Sequence, residues 1–140
     1  MEEKDRKELL RKIKAKRGYL LNYHTVLSKH DPDLLNKIDE LYSSQKYQKR
    51  NALDVKTKEL MDIAVATCMK VYPGLEIHLK KAFEAGCTEE EIVEAIAHQL
   101  WSGGLSAVMW GFDVYARFME NGKKISIVES KESNDFSLTE

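Results

Sequence analysis

Apolar positions along the chain recur at three-, four- and seven-residue steps, the spacing of helix faces, and no segment calls for a buried strand or a β-hairpin. The first periodic segment runs from Asp5 to about Leu27, with Leu9, Leu10, Ile13, Leu20, Leu21 and Leu27 on its stripe. Asp31-Pro32 opens a second helix, the aspartate as cap and the proline at the first helical position. Leu34, Leu35, Ile38, Leu41 and Tyr42 give that helix its apolar face, which fades through Ser43-Ser44 to Tyr47, and Gln48 to Asn51 reads as a polar connection. Asp54 then caps the stretch around which the chain is organised, Asp54 to His78. From Leu60 to Met69 that stretch carries one charge, Asp62, and a helix apolar on nearly every face is expected in the middle of a core.

Pro73-Gly74 breaks the central helix, and a new one carries Glu76, Ile77, His78, Leu79, Ala82 and Phe83 to a left-handed terminator at Gly86. Thr88 and Glu91 form a capping box, with Glu89 and Glu90 adding favourable charge to the first turn. Ile92, Val93, Ile96, Leu100 and Trp101 supply the buried face that follows. Gly103-Gly104 interrupts the pattern before a last helix, Leu105 to Met119, rich in aromatic residues. These signals predict an all-α protein of about six helices, with one domain over residues 1–122. Residues 123–140 form a C-terminal extension with a flexible tail, in which Ile125-Ser126-Ile127-Val128 is the part able to pack against a body or a neighbour.

Composition narrows the function classes. The 140 residues are 43% hydrophobic and 32% charged, with net charge −1, which gives no global reason to expect nucleic acid or an acidic membrane as partner. No apolar run approaches the roughly 20 residues that span a bilayer, and the charged start MEEKDRKELLRK contains no signal region. Cys68 and Cys87 do not form a secreted disulfide framework, so a reducing, cytoplasmic setting is expected. The basic cluster Arg11, Lys12, Lys14, Lys16 and Arg17 reads as a solvated helix face, and His24 as a packed or exposed side chain.

The best chemical lead is Glu59 with His78, placed on consecutive helices that should pack together. A histidine held by a buried carboxylate is a serviceable general acid or base near neutral pH; spacing alone favours an exposed glutamate at a helix start beside an ordinary histidine. His78 and His98 lie on different helices and no HxxxH or cysteine pair occurs, so no metal is expected. Cys68 lies within an apolar helix and Cys87 beside three glutamates, settings that favour packing over a reactive thiolate. No glycine-rich phosphate loop appears, and Gly103-Gly104 reads as close packing or a kink. The cluster Trp101, Trp110, Phe112, Tyr115 and Phe118 is core, with some of it available to a pocket or a subunit contact.

The runs LDVKTKELMDIAVA and EIHLKKAFEAGCTEEEIVEAI, followed by a double glycine and an apolar helix, resemble the carboxymuconolactone decarboxylase family, whose fold is shared with alkylhydroperoxidase-D-like proteins. The resemblance covers about Leu53 to Glu120 and implies a helical unit that assembles as a homotrimer or homohexamer. In the peroxidase branch a CxxC pair precedes the histidine; here those two positions hold Val71 and Gly74, while the glutamate position holds Glu59. The resemblance therefore implies the proton-relay pair without the redox sulfurs. It implies cofactor-free decarboxylation of a small carboxylated lactone or related carbon acid, with His78 as general acid/base and Glu59 as its orienting partner. The anionic substrate calls for a cation such as Lys80, Lys81 or Arg117, and His98 and Trp101 are further candidates for the substrate pocket. Two other readings stand beside this one: a non-catalytic oligomeric protein that binds a ligand or partner, and a thiol peroxidase using Cys68 alone.

Overall fold

The computed structural model describes residues 1–46 and 52–126. The expected polar connection from Gln48 to Asn51 and the tail from Ile127 onward lie outside the described residues. Seven helices and no strand occur among those described, and they fall into two compact units divided after residue 51.

The first unit contains α1 (Glu3–Arg17), α2 (Asn22–His30) and α3 (Pro32–Lys46). The single helix expected from Asp5 to about Leu27 is in fact two. Gly18 takes the left-handed conformation (φ 82°) and its N–H closes on the Lys14 carbonyl, which ends α1. Three residues on, the Leu21 N–H donates to His24 Nδ1 at 2.9 Å, which starts α2. His24 is fully buried and stacks on Tyr23, with ring centroids 3.9 Å apart. The basic cluster also departs from a purely solvated face. Arg17 is only 7% exposed; its Nη2 and Nε donate to Asp39 Oδ1 at 2.9 and 3.0 Å, and its guanidinium lies 3.9 Å from the centre of the Tyr42 ring. Asp31 caps α3 as expected, accepting from the Leu34 N–H at 2.9 Å.

The second unit contains α4 (Val55–Met69), α5 (Gly74–Glu84), α6 (Glu89–Ala97) and α7 (Leu100–Glu120). Asp54 Oδ1 accepts from the Thr57 N–H at 2.7 Å at the start of α4, and the Thr88–Glu91 capping box forms at the start of α6. Helix α4 packs against α5, α6 and α7 around a core of Ile63, Ala66, Leu75, Leu79, Ala82, Ile92, Ile96, Val114 and Phe118. It is not enclosed on every side, however. Met61, Val65 and Met69 are more than half exposed, because their four-residue spacing places them together on the side its three neighbours leave uncovered.

The double glycine lies inside α7 rather than ahead of it: Gly104 (φ 77°, ψ 174°) kinks the helix. A Cβ on Gly103 would lie 3.3 Å from the Cys68 Cα, so this glycine lets α7 approach the backbone of α4. Beyond α7, Ile125 is buried and Ser126 donates to the buried Glu76 carboxylate from both N–H and Oγ–H, with the shortest separation 2.9 Å. No described helix is long and apolar enough to cross a membrane.

Candidate functional site

Helical periodicity places Glu59, Asp62, Ile63 and Ala66 toward one side of α4, where α5 packs. Ile63 and Ala66 meet the core, and the two carboxylates extend the same side toward the start of the helix. On α5, Leu75, Leu79 and Ala82 anchor the helix in that core, which holds His78 opposite the carboxylates. The His78 Nδ1 lies 2.8 Å from Glu59 Oε2 and 3.4 Å from Asp62 Oδ2. The Glu59 side chain is only 3% exposed, that of His78 24% and that of Asp62 44%. The cluster thus runs from a buried carboxylate, through the imidazole, to a carboxylate open to solvent.

When Glu59 is ionised its carboxylate can only accept, and Nδ1 then carries the proton shared between them. That bond fixes the ring and directs the chemistry to Nε2. Asp62 was missed as a site residue from sequence. Its signal was present: it is the single charge in the apolar run and lies three residues after Glu59, on the same helix face.

The other expected residues are distributed differently. His98 lines a shallow groove of about 370 Å³ with Thr57, Leu60, Met61 and Gln99, between α4 and α6, whereas neither Glu59 nor His78 lines it. Trp101 is 85% exposed. Of the candidate cations, Lys80 reaches toward Glu84 at 3.9 Å, and Arg117 donates to its own helix at the Asp113 carbonyl. Lys81 is half-buried one turn beyond His78 on α5, which makes it the candidate cation closest in register.

The sulfur chemistry is equally clear. A Cβ on Gly74 would lie 3.6 Å from Val71 Cβ, a span suited to a disulfide, yet neither residue has a sulfur. Cys68 is a free thiol that donates to Gln99 Oε1 at 3.0 Å. Cys87 is buried; that burial, followed by the nearby Glu91 charge, pushes its thiol up.

The sequence model that defines the carboxymuconolactone decarboxylase family matches residues 32–117, more than half of the chain. No curated protein and no solved structure matches it.

Proposed function

The chain belongs to the carboxymuconolactone decarboxylase family, and we propose that it catalyses general acid/base decarboxylation of a small carboxylated lactone or related carbon acid. The observation that carries this reading is the 2.8 Å hydrogen bond between His78 Nδ1 and the buried Glu59 carboxylate. In the reaction, the bond between carbon and the substrate carboxylate breaks to release carbon dioxide. Its electron pair passes into the unsaturated system and is trapped as a new C–H bond. The doubly protonated imidazole donates from Nε2, then regains its proton from water. Glu59 acts as a positioning residue, holding the ring through Nδ1. Lys81 is the group this reading assigns to the substrate carboxylate, since Glu59 and Asp62 would otherwise oppose an anion.

The same proposal includes assembly into a homotrimer or homohexamer. Six apolar side chains support it: Met61, Val65 and Met69 at four-residue steps on α4, and Trp101, Leu105 and Met109 on either side of the Gly104 kink in α7. All six side chains are more than half exposed. Helices α4 and α7 meet closely at Gly103 and Cys68, and this reading has a second copy covering the exposed apolar residues of both.

The deciding experiment measures carbon dioxide release from γ-carboxymuconolactone by wild type and His78→Ala, with the mass of each followed by light scattering. Turnover in the wild type should fall about 100-fold or more in the variant, with the assembled mass unchanged. No turnover by an assembled wild type would remove this substrate. Equal turnover by the variant would remove His78 from the chemistry, and a single-chain mass would remove the assembly.

A further inference from the structure

We propose that Glu59, Asp62 and His78 together form a binding site for one divalent transition-metal ion, and that this ion competes with the proton held at His78 Nδ1. One donor atom from each of the three side chains can be chosen so that all lie within 4.8 Å of one another. The nitrogen lies 2.8 Å from Glu59 Oε2 and 3.4 Å from Asp62 Oδ2. An ion ligated at about 2.0–2.2 Å needs neighbouring donors roughly 3–3.6 Å apart, so small side-chain adjustments suffice. Two ligands sit one helical turn apart on α4 and the third faces them from α5. The geometry is therefore set by packed helices rather than by a loop.

The composition of the cluster points the same way. A proton relay to His78 needs one carboxylate, and Glu59 at 2.8 Å fills that role. Asp62 brings a second carboxylate oxygen to 3.4 Å from the same nitrogen. A divalent ion uses both charges, since two carboxylates neutralise it and the imidazole completes a three-ligand set with open positions. One nitrogen with two carboxylate oxygens suits zinc, cobalt or manganese, whereas an imidazole ligand disfavours magnesium and calcium. Glu59 supplies the rigid, buried end, and Asp62, 44% exposed, supplies the side from which an ion arrives.

Ligation and the relay exclude each other, because the Nδ1 lone pair holds either a proton or a metal. The binding claim stands on geometry alone; its effect on turnover rests on the acid/base reading above. The test titrates the full chain with zinc chloride by calorimetry, beside Asp62→Asn and His78→Ala, with magnesium chloride as control. Wild type should take up one zinc per chain and show no magnesium heat. Asp62→Asn should bind at least about ten-fold more weakly, and His78→Ala should lose the site, with helical circular dichroism unchanged in both. No saturable zinc binding by wild type overturns the proposal, as does wild-type affinity in Asp62→Asn, a half-exposed position whose change leaves the core intact. These readouts need no substrate, so failure of the decarboxylase reading leaves them decisive. If the wild type does turn over, saturating zinc should abolish turnover and a chelator restore it; turnover indifferent to zinc overturns the competition.

Discussion

In residues 1–46 the buried centre includes a guanidinium: Arg17 lies between Asp39, Tyr23 and the face of Tyr42. In residues 52–126 the centre is Ile63, Leu75, Leu79, Ile92, Ile96 and Phe118, all fully enclosed. The difference follows from the two sequences. Helix α1 is thick with lysine and arginine and offers few large apolar side chains, so its last turn is buried by satisfying a charge. Helices α4 to α7 have apolar residues to spare and bury them by area. Charge satisfaction is directional and depends on each partner, whereas apolar burial is non-directional and additive over area. The chemistry follows the same division: the second unit can bury Glu59 and Glu76 because each is met by a specific donor, from His78 and Ser126 respectively.

The largest expected break is in the apolar centre. Phe118→Ala, which removes a fully buried ring packed beside Phe83, should cost about 3–5 kcal/mol in denaturant unfolding. A cost below about 1 kcal/mol would mean that the second unit does not depend on this packing. Next comes the polar centre. Arg17→Met keeps most of the volume but leaves Asp39 without its best donor, and should cost about 2 kcal/mol by the same measurement. An unchanged midpoint would show that the guanidinium is merely tolerated.

The smallest effect is one of pH. Burial raises the Asp39 carboxyl, but hydrogen bonds from Lys16 and Arg17 outweigh it and hold the group below its ordinary value. Its contribution is therefore fully present above the unfolded-state pKa, about 3.9, and is lost as pH falls through the lower folded-state value. Acid titration followed by circular dichroism should show this loss below about pH 4, and Asp39→Asn should flatten it. An acid limb identical in the variant would assign the loss to other carboxylates.

Much of this was legible from local signals. The caps at Asp31, Asp54 and Thr88 and the left-handed Gly86 are one-turn events, governed by residues a few positions apart. The reading of α1 and α2 as one helix failed because the apolar stripe continues in phase across Gly18, so periodicity could not register a break made by one left-handed residue and a histidine cap. Nothing local distinguishes Arg17 from Lys16, and both pair with Asp39; the ring of Tyr42, on another helix, covers the Arg17 guanidinium.

The sequence by itself determined an all-helical chain, its family, and the two side chains Glu59 and His78, because helix faces, caps and family motifs are written in local spacing. Tertiary structure alone decided that His98 lines a different groove, and that the apolar residues Met61, Val65, Met69, Trp101, Leu105 and Met109 stay exposed on the single chain. Each of those outcomes depends on which side of one helix meets another. That choice is set by the summed packing of α4, α5, α6 and α7, and no single segment contains it.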